Sequence, residues 1–237
     1  VDSQKTMRIL EILARSGDRL PAHQPLVTMP PMNVAMCIYF SILMAAPQPS
    51  FAPVTWELKF EFHDPKRITV SLPGQNTQTY WYMLYTVSNE SGEDVQFFPS
   101  FNLVTDGLDV IEAGDGVSPR VIDQIHDRHE KLYPFFSEPL AVTGPLLQGA
   151  DNGRTSVAVF RDFDPNTDRF TVFVSGLSGE IARVRNPAFD PNEPESEENQ
   201  RFFALRKTLA IEYHFPGDQS TRSKADATRV SRSWVMR

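Results

Sequence analysis

The most reactive-looking cluster in the chain is His126-Asp127-Arg128-His129-Glu130. It falls at the end of a segment with helical periodicity, so His126 and His129 stand three apart on neighbouring faces. Two imidazoles at that spacing can approach one zinc ion, with Asp123 and Glu130 as further oxygen donors. The zincin order His-Glu-x-x-His is absent, and a solvated helix face accounts for the same residues. A second pattern, Asp162-x-Asp164-x-Asn166-x-Asp168, sets oxygen side chains at every other position, as a calcium loop does. Pro165 is foreign to such a loop, Thr167 occupies its glycine position and Phe173 its bidentate carboxylate position. A polar turn built on Asx hydrogen bonds is the competing reading. No cofactor is assigned from sequence; zinc and calcium are the two ions these spacings admit.

Tyr80-Trp81-Tyr82, with Tyr85, forms the third candidate. Aromatic rings presented in a row stack on sugars, while clustered rings also fill cores. Phe97-Phe98-Pro99-Ser100-Phe101 poses the same choice between a partner surface and hydrophobic fill. Gly176-Leu177-Ser178-Gly179 lacks the Gly-x-Ser-x-Gly elbow, and its two glycines are expected to supply positive φ in a tight connection. No nucleophile, base and orienting acid line up, so no catalytic residue is assigned.

The elements that must position these residues are mainly strands. Val54–Phe62 alternates: Val54, Trp56, Leu58, Phe60 and Phe62 share one face, and polar side chains the other. Further strands are expected at Arg67–Leu72, Thr79–Ser88, Val95–Phe98, Phe101–Thr105, Leu108–Glu112, Ser156–Phe160, Arg169–Ser175, Ile181–Val184, Phe202–His214 and Val230–Met236. Thr79–Ser88 is apolar on both faces, which predicts a central strand. Pro99 divides two strands and marks an edge or bulge. One helix interrupts, with Ser118 at its N-cap, Pro119 at N1 and an apolar face of Val121, Ile122 and Ile125 running to about Glu130. Short strands separated by turn signals predict an all-β fold, an immunoglobulin-like β-sandwich of about nine or ten strands, with the helix crossing between sheets. Asp190–Gln200 reads as a solvated acidic loop.

The chain has 237 residues, 41% of them apolar, a formal charge of −7 and one Cys. That apolar content builds a substantial core, the acidity argues against nucleic acid as a partner, and a single Cys excludes a disulfide framework. Residues 1–52 read as a leader and 53–237 as one sandwich domain. Thr6–Arg15 has helical spacing, and Val34–Ala46 is an uncharged run shorter than the ~20 residues of a membrane helix. Small residues follow at Ala45-Ala46 and Ser50-Phe51-Ala52, as at a signal cleavage site. Pro53 disfavours the later position and points to a cut nearer Ala46. No Lys or Arg lies between Arg19 and Lys59. A leader must therefore draw its positive charge from Lys5, Arg8, Arg15 and Arg19, or begin later, near Met29, Met32 or Met36. A buried helix and a membrane anchor are the other readings of the run.

Several stretches together carry a resemblance: Tyr80–Asn89 with Gly92–Val95, Phe98–Phe101, Leu146–Gly149, Phe170–Glu180 and Leu205–Leu209. The set is similar to uncharacterised exported β-proteins of planctomycete-type bacteria, over about Val54 to Arg237. The resemblance implies a secreted or envelope-associated β-protein and assigns no activity and no site residue.

The expected function is a non-catalytic exported module of the envelope or periplasm, with a protein or glycan partner. No nucleic acid and no stable membrane span after leader removal are expected. A metal-assisted hydrolase on His126 and His129, and a carbohydrate-binding module on Tyr80, Trp81 and Tyr82, are the alternatives.

Overall fold

The structure is a computed structural model that describes residues 46–71, 76–217 and 225–237. The chain divides into two units, Val1–Ala45 and Ala46–Arg237, and all the described residues belong to the second. The expected helix at Thr6–Arg15 and nearly all of the apolar run at Val34–Ala46 lie outside the described residues. Among the described residues no helix is long and apolar enough to cross a membrane.

The architecture is an all-β sandwich with one short helix. The first sheet is built around β3 (Gln78–Asn89). Along one side of it run β1 (Lys59–Phe62) and β2 (Lys66–Val70), and along the other runs β8 (Gly149–Arg161), all antiparallel. Both short strands pair the same side of β3, so they are one strand path broken at His63-Asp64-Pro65, where proline cannot donate to the ladder. The second sheet is centred on β11 (Phe202–His214). One flank carries β12 (Thr228–Met236). The other carries β9 (Arg169–Ser175) and β10 (Ile181–Arg185) end to end. Beyond β9 lie β5 (Ser100–Thr105) and β6 (Val110–Glu112). A ribbon of β4 (Val95–Phe97) and β7 (Gly144–Leu146) stands apart.

Twelve strands are thus present among the described residues, against nine or ten expected. Eleven of them fall on segments expected to be strands, and the remaining one is Gly144–Leu146, which pairs despite carrying a glycine and a proline. Conversely, Val54–Leu58 alternates as a strand but makes only an isolated bridge, Glu57 to Ser178. The alternation still orients its side chains: Leu58 is buried and Trp56 packs on the core.

Period two sorts β3 onto two cores. Trp81, Met83, Tyr85 and Val87 face the second sheet and meet Leu103, Phe170, Val172, Leu209, Ile211 and Tyr213. Tyr80, Tyr82 and Leu84 face outward and meet Ile68, Val157 and Val159. That outer face is covered by the helix α1 (Pro119–His129), whose Val121 and Ile125 are fully buried on it. The helix therefore connects the two sheets in sequence, from β6 to β8, and also seals the first sheet. Ser118 holds extended N-cap geometry, although its side chain makes no capping bond.

Two glycines show why the β9–β10 connection needs them. Gly176 has φ +84°, and a Cβ there would lie 2.4 Å from the carbonyl oxygen of Phe98. Gly179 departs from expectation, because it has no positive φ. Its role is close approach: a Cβ would stand 2.7 Å from both Thr55 Oγ1 and Trp56 Nε1.

Candidate functional site

A cleft of about 450 Å³ runs along the outer edge of β8. Its floor is Val157, Ala158 and Val159. One wall is Phe101 and Ala113 from the second sheet with Tyr85 of β3, and the other is Ile122 and Asp123 of α1. Glu138-Pro139-Leu140 borders the mouth. Leu140 is largely exposed there. Burial pushes the Tyr85 hydroxyl up to about 12, against a hydrogen bond with Ser156 that lowers it.

Backbone direction at this edge follows from pairing. In an antiparallel ladder, alternate residues turn both N–H and C=O to the same neighbour. The Val159 carbonyl accepts from Gly114 N at 2.8 Å, and the Thr155 carbonyl from Ser137 N at 2.8 Å. Residues 155, 157 and 159 therefore point away from β3, while Ser156, Ala158 and Phe160 point toward it. On the opposite side of β3, the His63 amide donates to the Leu84 carbonyl at 2.9 Å, which sets the same phase independently. Val157 thus turns its N–H and C=O away from β3, between two capped positions, and is itself buried. Three carboxylates, Glu112, Asp123 and Glu138, line the opening, and no basic side chain does among the described residues.

A second constellation fastens α1 to the first sheet. Residues Val121, Ile125 and His129 recur every four positions, so His129 lies on the buried face of the helix. Its Nε2 meets the Tyr82 hydroxyl at 3.0 Å. Beside it His63 Nε2 is hydrogen-bonded to the Tyr133 hydroxyl. These pairs line a depression of about 150 Å³ with Asp64, Lys66 and Leu132. Burial holds His129 below the usual histidine value, with Arg128, Lys66 and His63 adding repulsion. A neutral imidazole bonded to a phenol is suited to locking two elements together.

The zinc reading fails to assemble. His129 is turned onto Tyr82, while His126 packs edge-on against Phe136 and lies 3.8 Å from the Asp127 carboxylate. No three His, Cys, Asp or Glu side chains gather to hold a metal ion among the described residues. The calcium pattern is the polar turn between β8 and β9. Asp162 accepts from Trp81 Nε1 at 2.9 Å, and Asp164 accepts from both the backbone N and the side-chain amide of Asn166. The backbone N of Asp168 donates to Asp106 at 3.0 Å. Asp162 and Asp164 are thus spent on separate contacts, which is the Asx-turn alternative.

The aromatic platform is corrected as well. Tyr80, Trp81 and Tyr82 are each 2% exposed. Because adjacent strand residues alternate, Trp81 enters the inner core and stacks on Phe163 at 5.4 Å, whereas Tyr80 and Tyr82 enter the outer one. No row of open rings exists there to receive a sugar.

One buried charge cluster is not apparent from the sequence. Lys207, 1% exposed in the middle of β11, sits 2.9 Å from Glu57 and 3.3 Å from Glu180. Its ammonium also donates to the carbonyl of Ser50 at 3.1 Å. Burial alone would push the lysine down, but the two carboxylates outweigh it and leave its pKa raised. Glu180 is held below its usual value, first by the Ser50 amide and also by Lys207.

Compared with protein-family models, curated proteins and solved structures, the chain matches none.

Proposed function

We propose that this protein is a non-catalytic binding module of the cell envelope or periplasm, and that the cleft beside β8 is where it binds. The observation that carries the reading is the cleft itself: apolar walls from two sheets and a helix, with Glu112, Asp123 and Glu138 at its mouth. Sites for small molecules and peptide segments have this composition, mostly apolar with a few placed polar groups. The titratable residues that look chemical in sequence serve instead as locks and turns, as at His129 with Tyr82 and Asp164 with Asn166.

Export belongs to the same proposal. It rests on the uncharged run before Ala46 and on the resemblance to exported proteins. The amide of Ser50 donates to Glu180 and its carbonyl accepts from Lys207, so we place the leader cut before Ser50, at Ala46. N-terminal sequencing of the native protein tests that placement.

The binding reading is tested with Nile red, a neutral apolar dye whose emission rises in dry surroundings. Wild-type protein is expected to enhance it saturably at 1:1 stoichiometry. Ala113→Trp, which fills the cleft from its inner wall, is expected to abolish the signal with an unchanged far-UV spectrum. Equal enhancement by both proteins contradicts the reading.

A further inference from the structure

We infer that the occupant of this cleft is a small organic cation, an apolar body carrying one ammonium group, with the body against the walls and the charge at the mouth. This rests on the binding reading and goes beyond it by naming the chemical class of the ligand.

The walls define the body. Phe101 and Ala113 of the second sheet face Ile122 of α1 across the β8 floor, and the Tyr85 and Phe101 rings lie together with centroids 4.8 Å apart. The Tyr85 hydroxyl is already hydrogen-bonded to Ser156. The floor offers no backbone partner. Val157, Ala158 and Val159 are at most 3% exposed, and Gly114 and Ser137 bond the edge of β8 on either side of Val157. A ligand here is therefore held by side-chain contact, which suits a compact molecule and not an incoming main chain. A volume of about 450 Å³ lies within the range that accepts such molecules.

The mouth defines the charge. Glu112 at the end of β6, Asp123 on α1 and Glu138 before β7 come from three separate stretches, are all exposed, and converge on one opening. Carboxylates elsewhere have cations beside them: Asp115 pairs with Arg161 at 3.0 Å and Asp64 with Arg229 at 3.5 Å. Among the described residues, the three carboxylates at the mouth have no such partner, by ion pair or hydrogen bond. Like charges gathered in this way repel one another and any anion, and a cation arriving among them relieves the repulsion. Apolar walls beside them focus the field, so the attraction exceeds that of carboxylates on an open surface. The three do not gather closely enough to hold a bare metal ion, since no three His, Cys, Asp or Glu side chains do so among the described residues. A diffuse organic cation needs a field and not a coordination shell, so it is the charge that fits.

The test uses the full chain and three fluorescent probes that share one body: diphenylhexatriene, its trimethylammonium derivative and its propionate derivative. Each is dark in water and bright in apolar surroundings. The trimethylammonium probe is expected to bind about tenfold more tightly than the neutral one and to displace Nile red, with the propionate weaker than both. Its advantage is expected to shrink as salt rises, because the carboxylates are exposed, while the neutral probe is indifferent to salt. In the variant combining Glu112→Gln, Asp123→Asn and Glu138→Gln, the three probes are expected to bind alike, with the far-UV spectrum of wild type. Should that variant misfold, the salt dependence in wild-type protein decides the matter. Equal wild-type binding of the three probes overturns the cation, as does a preference that survives in the triple variant or is unmoved by salt. Such a result with Nile red still bound leaves the binding module standing. Trimethylammonium binding that fails to displace Nile red overturns the assignment to this cleft. Failure of Nile red and of all three probes overturns both readings.

Discussion

The amide of Gly114 donates to the carbonyl of Val159 over 2.8 Å. This bond fixes the phase of β8, because it shows which residues turn away from β3. It also caps the strand edge on one side, as Ser137 does on the other. An uncovered strand edge is a liability that proteins cover or blunt. Here the edge is covered: Gly114 and Ser137 bond it on either side of Val157, and Val157 itself is buried.

Lys207 tests how the sandwich tolerates a buried charge. Lys207→Met strands Glu57 and Glu180 without their cation. Uncompensated charge in a buried setting is strongly destabilising, so the midpoint of thermal unfolding is expected to fall by roughly 5–10 °C. Combining it with Glu57→Gln and Glu180→Gln is expected to restore most of the loss, since the cost lies in the unpaired carboxylates. Calorimetry of wild type, the single variant and the triple variant decides it; no recovery in the triple variant would contradict this account.

Gly176→Ala tests the crossing beneath Phe98. The substitution meets both an unfavourable φ and a backbone oxygen, so a loss of about 2–4 kcal/mol is expected. Urea unfolding measures it. Gly92→Ala serves as the comparison, because Gly92 has φ +99° but nothing within 4 Å of its added Cβ, and a smaller loss is expected there.

The His129–Tyr82 lock carries a pH dependence. The folded pKa of His129 is depressed relative to the unfolded chain, so its contribution is complete above the unfolded value near 6.5. It is lost as pH falls from there through the lower folded value. Stability is therefore expected to decline on acidification below about pH 6.5, and His129→Gln to flatten that decline. Proton NMR of the imidazole should show it titrating below the ordinary histidine range.

At the alkaline end two buried tyrosines titrate late. Tyr85 is raised to about 12 by burial, and Tyr213, buried and donating to Asp64 at 3.2 Å, is raised further. Raised pKa values mean stability that is intact below about pH 10 and lost as pH climbs through the folded values. Absorbance at about 295 nm is expected to show Tyr85 and Tyr213 still un-ionised at about pH 11. Tyr85→Phe removes one of the late titrations.

Much of the fold is legible in the sequence because strand alternation is local. Phe202–His214 and Arg169–Ser175 form strands with the very bounds expected, and Pro99 does divide two strands. The double-faced apolarity of β3 correctly marks a central strand. What stays hidden is the reason, a helix sealing its outer face, since Val121 and Ile125 show only that α1 has an apolar side. The site is not legible. Its floor is β8, its carboxylates come from β6, α1 and the loop before β7, and nothing in their spacing brings them together. The residues that look chemical mislead for a physical reason. Histidines, aspartates and tyrosines also make good locks and turns, and only distances separate those uses. Lys207 is the opposite case: a lysine in an apolar strand signals a buried ion pair, but its partners Glu57 and Glu180 lie far off in sequence.

The most direct measurement is a nitrogen–proton NMR titration of the full chain with Nile red. If the cleft is the binding site, the amide resonances of Ala113, Ile122, Asp123 and Leu140 move together and saturate, while those of β12 move little. Shifts centred elsewhere, or no shift at saturating dye, would contradict the account.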